Sequence, residues 1–395
     1  MPKRLALTGN YAVSYAVKAA RVKVIAAYPI TPQTTIVEKL AEMIESGELD
    51  AVMIRVESEH SALAAVYGAA AGGVRAFTAT ASHGLLYMHE VLWWVAASRI
   101  PVVMAIVTRA IGPPWNIHVD HNDILDQRDT GWIIAMAEDN QEAFDLTLLA
   151  FRISEDEKVF LPAMVGLDGF ILSHTVEPVE IPDQQDIDAW LPPRKQPYVI
   201  EPGNPISMGN IFTDEAFEEM RMDMQEAMRR ARDVIREAGR EYGKITGRYY
   251  DKLIDCYKCN DADYLLLGIG SWMGDAKIAV DMLRDEGIRA GVAKLWYVRP
   301  FPWDELRELA LTKKLVIVFD RGISMGHTGQ LFMEASSALE AKPSMVGVMA
   351  GVGGVDIGPE DFANIARKFI AEVEERGRIY SPGNWYHLGS IKRIY

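Results

Sequence analysis

The feature that most constrains the fold is a regular alternation of short apolar runs with amphipathic segments over residues 1 to about 175. Six runs have the length and apolar content of strands: Val22–Tyr28, Ala51–Val56, Ala76–Ala79, Val102–Val107, Ile133–Ala137 and Phe160–Leu167. Five segments between and around them have helical spacing: Ala12–Ala20, Ile36–Ser46, Ser61–Ala71, Gly84–Ser98 and Gln141–Ser154. Alternation over this length predicts an α/β fold with a doubly wound, mostly parallel sheet.

The pattern stops after residue 175 and resumes near Cys256, which divides the chain into three parts. Residues 176–205 contain seven prolines, each of which removes a backbone donor, and they predict an extended strap outside regular elements. A long helix over Thr213–Ala238 follows, with Thr213 as its N-cap. Its apolar packing stripe consists of Phe217, Met220, Met224, Ala227, Met228, Ala231 and Ile235. From 256 to 395 the alternation predicts a second doubly wound, mostly parallel sheet, whose strands include Ala290–Tyr297 and Leu315–Phe319. The predicted domains are therefore 1–175, a strap and connecting helix at 176–255, and 256–395.

Charge and cysteine content exclude several classes of protein. The 395 residues carry a net charge of −14, so the chain lacks the basic face that nucleic acid binding requires. The N-terminal segment lacks the pattern of a secretory signal, and the apolar stretch Val91–Val107 is broken by Arg99 and Pro101, which argues against a membrane span. Two cysteines cannot form a disulfide framework, and we expect a cytoplasmic protein.

Two loops carry side chains suited to chemistry. Tyr28–Pro32 (Tyr-Pro-Ile-Thr-Pro) follows the first predicted strand, and Glu57–His60 (Glu-Ser-Glu-His) follows the second. Both would lie at the carboxyl ends of parallel strands, where open α/β sheets place ligands. The first loop is a proline-framed turn with a hydroxyl at Thr31. The second places Glu59 at a helix start, where it serves either as a capping charge or as a functional carboxylate.

Arg109 follows a buried strand and precedes a Pro-Pro-Trp-Asn segment. A guanidinium fork at a strand end suits a carboxylate substrate. A salt bridge to Asp120 or Asp123 is the alternative that the residues leave open.

Other patterns are weaker. The histidines at 60, 83, 89, 118 and 121 match no common metal-ligand spacing, and we predict no metal site. Gly268, Gly270 and Gly274 follow a predicted strand and favour a tight turn over a dinucleotide site, since no acidic residue closes the next strand. Cys256 and Cys259 form a Cys-x-x-Cys pair that cannot alone hold a zinc ion or an iron–sulfur cluster. Such a pair is redox-active when it opens a helix of a thioredoxin-like unit, but its position at a joint between domains favours a structural or incidental pair.

Several motifs together resemble one family. They are Tyr-Pro-Ile-Thr-Pro at 28–32, Glu-Ser-Glu-His at 57–60, Thr-Ala-Thr-Ala-Ser-His-Gly at 78–84, Asn-Ile-His-Val-Asp-His-Asn-Asp at 116–123, Leu-Asp-Gly-Phe-Ile-Leu-Ser-His at 167–174, Arg-Pro-Phe-Pro at 299–302 and Asp-Arg-Gly-Ile-Ser-Met-Gly at 320–326. In this order they resemble the α subunit of the thiamine-diphosphate-dependent 2-oxoacid:ferredoxin oxidoreductases. The resemblance implies that 1–175 is a pyrimidine-binding domain and that 256–395 is a transketolase C-terminal-like domain.

The resemblance also implies roles for individual residues. Glu59 matches the glutamate that hydrogen-bonds the aminopyrimidine ring of the cofactor and promotes the first proton transfer. Thr31 and Arg109 match residues that hold the substrate carboxylate, and Arg109 would also stabilise developing negative charge. Tyr28, Pro29 and Ile30 would shape the cofactor pocket.

The same resemblance implies partners. Thiamine diphosphate would be shared with a β subunit that binds the diphosphate and Mg²⁺. An iron–sulfur subunit of the γ type would carry [4Fe-4S] clusters and pass electrons to ferredoxin. The expected assembly is a dimer of hetero-oligomers.

Two positions depart from the family pattern. After Arg109 the chain reads Ala-Ile-Gly-Pro-Pro where pyruvate enzymes read Ala-Leu-Ser-Ala-Pro, and 9–11 reads Gly-Asn-Tyr where Gly-Asn-Glu is usual. The first departure lies beside the substrate arginine and predicts a substrate other than pyruvate. The nearest resemblance is to the α subunit of oxalate oxidoreductase, which cleaves oxalate to two CO2 and passes electrons to ferredoxin.

Three other functions stay open. The first is an α subunit of pyruvate:ferredoxin oxidoreductase, which decarboxylates pyruvate with coenzyme A. A thiamine-dependent decarboxylase without redox function would need a Gly-Asp-Gly and Asn-Asn diphosphate motif, which is not visible in this sequence. A non-catalytic scaffold subunit is the third.

Overall fold

A computed structural model describes residues 2–339 and 343–394 as two compact units that interleave along the chain. The first unit comprises the chain up to Thr108 together with Asp126–Lys252 and Val298–Pro300, and the second comprises Arg109–Leu125, Leu253–Tyr297 and the described residues from Phe301 onward. The division differs from the predicted boundaries in three ways. Residues 109–125 belong to the second unit, the strap and long helix belong to the first, and a short segment near 299 returns to the first.

The described residues form the following elements. The strands are β1 (Lys3–Thr8), β2 (Val24–Ala26), β3 (Val52–Ile54), β4 (Ala76–Thr80), β5 (Val103–Thr108), β6 (Ile133–Met136), β7 (Ala163–Asp168), β8 (Val176–Ile181), β9 (Ile254–Tyr257), β10 (Tyr264–Gly268), β11 (Ala290–Leu295), β12 (Tyr297–Arg299), β13 (Leu315–Asp320), β14 (Ser344–Met349), β15 (Tyr380–His387) and β16 (Ser390–Arg393). The helices are α1 (Gly9–Ala19), α2 (Thr34–Glu45), α3 (Glu59–Ala71), α4 (Ser82–Tyr87), α5 (His89–Ala97), α6 (Asn122–Leu125), α7 (Asn140–Ser154), α8 (Gln184–Trp190), α9 (Asp214–Thr246), α10 (Met273–Asp285), α11 (Trp303–Ala310), α12 (Gln330–Leu339) and α13 (Pro359–Arg376).

The first unit is built on a seven-stranded sheet with the order β12-β6-β7-β5-β4-β2-β3. The pairs from β6 to β3 are parallel, with Ile25 opposite Met53 and Ala105 opposite Val165. Every residue of β4, β5, β6 and β7 is buried, as expected for parallel strands that are covered on both faces. The predicted α/β fold with mostly parallel sheets is confirmed.

The prediction that all of 176–205 lies outside regular structure is wrong. β8 pairs antiparallel with β1, with Pro178 opposite Ala6, and α8 follows. The proline is compatible with this strand because a two-stranded sheet leaves one edge of each strand without a ladder. The rest of the strap is tied to the first unit by Arg194, whose Nη1 donates to Val74 O at 2.6 Å.

The long helix α9 begins where predicted, since Thr213 Oγ1 accepts the N–H of Ala216. It continues past the predicted end at Ala238 and stops at Gly247, which adopts φ 77° in the left-handed region. Of the predicted stripe, Met224, Ala227, Ala231 and Ile235 are buried, whereas Phe217 near the helix start is 49% exposed.

The second unit has its own seven-stranded sheet, in the order β16-β15-β14-β13-β10-β11-β9. Its five inner strands are parallel to one another, and the edge strands β9 and β16 are antiparallel to their neighbours. The aromatic tail after Ile379 forms the β15–β16 hairpin of this sheet, and Tyr395 lies outside the described residues. Trp272, Phe319 and Phe362 pack together in the core of this unit.

The described part of the chain contains no helix that combines the length and hydropathy needed to cross a bilayer.

Candidate active site

The candidate site of the first unit lies at one edge of its sheet. β3, β2, β4, β5 and β7 are parallel, so their carboxyl ends share an edge. The Tyr28–Pro32 loop follows β2, and Glu59 begins α3 after β3. Because β2 pairs with both β3 and β4, the segments that follow these three strands start side by side.

Buried side chains anchor the turn that follows β2. Asn10 Nδ2 donates to Pro32 O at 2.8 Å and to Thr35 Oγ1 at 2.7 Å. Gln33 Nε2 donates to Ala79 O, on β4, at 2.6 Å. Asn10 and Gln33 are fully buried, so these hydrogen bonds have little competition from water.

The anchored turn leaves its outer side chains accessible. The Thr31–Pro32 peptide bond is cis, Tyr28 is 38% exposed, and Pro29 and Thr31 are also exposed. Ile30 is half-buried. The first unit therefore presents a rigid turn with exposed aromatic and hydroxyl groups, which is compatible with the predicted binding role.

Glu59 lies in the first turn of α3, whose N-cap is Ser58. The predicted position at a helix start is confirmed, although the helix begins two residues earlier than the predicted Ser61. Glu59 is half-buried, and no described residue forms a hydrogen bond or an ion pair with its carboxylate. Its own helix is capped by the Ser58 hydroxyl, which accepts the N–H of Ser61, so the capping role does not depend on Glu59.

Gly84, on α4, makes room for the Glu59 carboxylate. A Cβ atom at position 84 would lie 2.7 Å from Glu59 Oε1 and 2.4 Å from Thr80 Oγ1. At these distances an added Cβ would force the Glu59 or Thr80 side chain to move, so the glycine leaves free the space that the Glu59 carboxylate occupies. The Thr80 hydroxyl is buried and has no hydrogen-bond partner among the described residues.

Two further residues at this edge have unusual backbone conformations. Ser82, after β4, has φ 48°, and Phe170, after β7, has φ 63°. Such left-handed conformations are uncommon for residues other than glycine and are enriched in functional loops. Gly169, which precedes Phe170, packs against the anchored turn, because a Cβ there would lie 3.0 Å from Pro32 Cγ.

Arg109, the third predicted site residue, belongs to the second unit. It is 5% exposed, and its guanidinium carbon lies 6.0 Å from the ring centroid of Trp115, which is itself 72% exposed. Asp123, one of the two predicted salt-bridge partners, accepts the main-chain N–H of Arg109 at 3.0 Å and that of Ile124 at 2.8 Å. A hydrogen bond from the Ala110 N–H to His118 O, at 2.9 Å, joins the two ends of the loop that follows Arg109.

The histidines that cluster in sequence are used separately. His60 Nε2 lies 3.6 Å from Glu90 Oε2, and His89 Nδ1 forms a 2.6 Å hydrogen bond with Gln127 Oε1. In the second unit, the ring of His121 packs edge-on against Trp272. Within residues 2–339 and 343–394, no three potential ligands are grouped so that they could hold a metal ion.

Sequence reasoning did not assign Asn10, Gln33, Gly84 and Gly169 to the site. Gly84 and Gly169 lie within the quoted motifs, and a glycine inside such a motif is the signal that could have identified them. The buried amides give no comparable signal, since their partners are distant in sequence.

Comparison with known proteins agrees with this architecture. Residues 15–240 match the family model described as pyruvate flavodoxin/ferredoxin oxidoreductase, thiamine diphosphate-binding. Residues 262–362 match pyruvate:ferredoxin oxidoreductase core domain II. The first match, which covers more than half of the chain, places it in a thiamine diphosphate-binding class of α/β proteins.

Full-length relatives give the family. The chain is 47% identical to pyruvate synthase subunit PorA of Pyrococcus furiosus over 395 residues, covering 98% of each chain. It is 46% identical to ketoisovalerate oxidoreductase subunit VorA of Pyrococcus abyssi, again over 98% of each. The chain therefore belongs to the 2-oxoacid:ferredoxin oxidoreductase family, as an α-type subunit of these oxidoreductases.

A solved structure supports the fold. The 2-oxoglutarate:ferredoxin oxidoreductase of Magnetococcus marinus, determined with 2-oxoglutarate, coenzyme A and succinyl-CoA bound, superposes with a TM-score of 0.73 at 19% identity. The match covers 93% of this chain and 65% of that chain. At this identity the likeness concerns the fold alone.

Proposed function

We propose that this chain is the α subunit of a thiamine-diphosphate-dependent enzyme that oxidatively decarboxylates a 2-oxoacid and passes the electrons to ferredoxin. The observation that carries the proposal is the geometry of Glu59, a half-buried carboxylate in a space created by Gly84, within a chain 47% identical to a pyruvate synthase subunit. Pyruvate and a branched 2-oxoacid are the favoured substrates, because relatives named for both share this level of identity over the full chain.

The residues of the first unit fit a bound aminopyrimidine. The Glu59 carboxylate has no described partner, so it is available to hydrogen-bond a ring nitrogen and hold a proton there. Thiamine diphosphate, when bound, supplies the electron sink for decarboxylation. The turn with Tyr28, Pro29 and Ile30 would shape the pocket wall, and its anchors keep it in place without help from the ligand.

Thr31 and Arg109 are the proposed carboxylate-binding residues. Thr31 offers a hydroxyl on the anchored turn, and Arg109 offers a charged fork whose main chain is fixed by Asp123. The burial of Arg109 strengthens its interaction with a substrate anion relative to a solvent-exposed arginine.

The remaining parts of the reaction are proposed to reside on other chains. A β subunit would bind the diphosphate and Mg²⁺, and a subunit of the γ type would carry [4Fe-4S] clusters. A dimer of such hetero-oligomers would then reduce ferredoxin. We therefore expect this chain to be inactive when it is separated from those subunits.

Substitution of Glu59 tests the catalytic proposal. In the assembled complex, Glu59→Gln should lower turnover by about 100-fold or more, since general acid–base contributions are of that order. Glu57→Gln is the matched control, because Glu57 is exposed and its carboxylate accepts a hydrogen bond from the Ser61 hydroxyl at the start of α3. Equal turnover of the two variants, with intact assembly, would refute the role of Glu59.

A substrate panel tests the specificity. The complex is assayed for viologen or ferredoxin reduction with pyruvate, 2-oxoglutarate, a branched 2-oxoacid and oxalate, each with and without coenzyme A. We expect reduction with pyruvate or the branched acid that requires coenzyme A. Reduction by oxalate without coenzyme A would instead support the oxalate prediction made from the segment after Arg109, and no reduction at all would contradict the redox function.

A further inference from the structure

The Cys256/Cys259 pair lies at the edge of the sheet in the second unit, and the proposed function does not use it. Cys256 is exposed on the edge strand β9, whereas Cys259 is buried. The two thiols are not joined in a disulfide. Cys259 Sγ contacts Val292 O at 3.0 Å, and a hydrogen bond with the Cys256 thiol, together with burial, raises the pKa of Cys259. In the β9–β11 ladder Cys256 lies opposite Ala293, the residue that follows Val292, so both cysteines lie against consecutive residues of β11.

The turn that brings the thiols together is held by several contacts. Lys258, between them, adopts φ 54° in the left-handed region. Its carbonyl accepts a 2.8 Å hydrogen bond from Arg284 Nη2, and its Nζ donates to Asp281 at 2.6 Å. Lys313 Nζ, which is also buried, donates to Cys259 O at 2.7 Å.

Gly291, on the neighbouring strand β11, allows this turn to lie against the sheet. A Cβ at position 291 would be 2.7 Å from Lys258 O and 3.1 Å from Cys259 Cα. The position thus accepts no side chain without displacing the turn. Together with the contacts of Lys258 and Cys259, it fixes a Cys-x-x-Cys turn in which one thiol faces solvent and the other is buried behind it.

We propose that Cys256 and Cys259 form a reversible dithiol–disulfide couple that exchanges with a low-molecular-weight disulfide. The exposed Cys256 thiolate attacks one sulfur of the external disulfide, forming a mixed disulfide and releasing one external thiolate. Cys259 then loses its proton and attacks the Cys256 sulfur, which forms the internal S–S bond and releases the second external thiol. The protein dithiol is oxidised by two electrons, and the external disulfide is reduced to two thiols, so that atoms and electrons balance.

Mass spectrometry of the chain tests this couple. The purified complex is equilibrated anaerobically with a series of oxidised and reduced glutathione mixtures, quenched with acid, alkylated and analysed by intact mass. The chain has only two cysteines, so its mass reports both. We expect two species that interconvert reversibly: a doubly alkylated chain and a chain that has lost two hydrogen atoms and resists alkylation.

Two variants separate the roles of the thiols. Cys259→Ser should accumulate a glutathione adduct on Cys256, because the resolving thiol is missing. Cys256→Ser should react little, because Cys259 is buried. The wild-type result does not depend on the folding of either variant. A stable adduct on the wild-type chain without loss of two hydrogen atoms, or two reduced thiols throughout the series, would overturn the proposal.

Discussion

The strongest stability prediction concerns Asp145, a carboxylate inside the first unit. Asp145 lies on α7, its side chain is fully buried, and its two oxygens accept hydrogen bonds from four side chains: Gln141, Tyr242, Arg248 and Tyr250. Arg248 contributes two donors, Nε at 2.6 Å and Nη2 at 3.0 Å. This network connects α7 to the end of α9 and the segment after it.

The perturbation is Asp145→Asn, which keeps the shape of the side chain but removes its charge. An amide has only one acceptor oxygen. The NH2 group of the asparagine would therefore face side-chain donors whose hydrogen bonds the second carboxylate oxygen of Asp145 accepts in the wild type. Among the residues that the structure describes, Glu180 would remain as the acidic partner of Arg248, with its Oε2 atom 3.4 Å from Nη1 and its side chain half exposed. Removing one partner of a buried ion pair costs about 3–5 kcal/mol. At about 1.4 kcal/mol per factor of ten, the equilibrium for opening this region should rise by at least about 100-fold.

Hydrogen–deuterium exchange of the assembled complex is the assay, because it reports local opening of a single region. Amides of residues 232–246, in the second half of α9, should lose protection by about 100-fold in the variant. The matched control is Asp233→Asn, since Asp233 is on the same helix, is 77% exposed and pairs with Arg236. Its effect should stay within about twofold, as for other exposed ion pairs. Equal protection in the two variants would refute the reasoning about the network.

Two further predictions address the second unit and the site. Burial raises the pKa of Asp320 to about 7, so the folded state binds its proton more tightly than the unfolded state. The stabilisation from this bound proton is therefore complete below about pH 4, and about 4 kcal/mol of it is lost as the pH rises to about 7. Asp320→Asn should remove that pH dependence in urea unfolding between pH 4 and 7.5, and parallel profiles for variant and wild type would contradict it. Gly84→Ala should displace Glu59 and lower turnover of the complex by about 100-fold, whereas Gly68→Ala, a helical control with open space around its Cβ position, should leave turnover unchanged. Normal turnover in Gly84→Ala would show that the space beside Glu59 is not needed.

Local structure was predictable because periodicity reports it directly. The strands Ala76–Thr80 and Leu315–Asp320 and the N-cap Thr213 follow from apolar runs and capping chemistry. The predicted helix Gly84–Ser98 is divided at Met88 into two helices. The apolar pattern continues through the buried Met88 and therefore does not reveal this division.

Long-range organisation was less predictable. The apolar pattern shows that a residue is buried, but it does not show in which core. The predicted domain 1–175 therefore includes the segment 109–125, which belongs to the second unit. The predicted strand Ala290–Tyr297 divides into β11 and β12, which lie in different sheets.

The residues of the candidate site also differ in whether the sequence alone could identify them. Glu59 could be identified from its place at a helix start and from the resemblance of its motif. Asn10 and Gln33 could not, since each acts through hydrogen bonds to residues far along the chain, Asn10 with Pro32 and Gln33 with Ala79.

The position of β12 has a consequence for biosynthesis. This strand forms the outer edge of the first sheet beside β6, yet it is translated only after β9, β10 and β11 of the second sheet. Until the ribosome has passed Arg299, the backbone groups along one side of β6 lack their final partner, and such an open edge can accept another extended chain. The nascent protein is thus most exposed to mispairing while its second unit is being made, and a stop in translation just before Tyr297 should yield a product that aggregates.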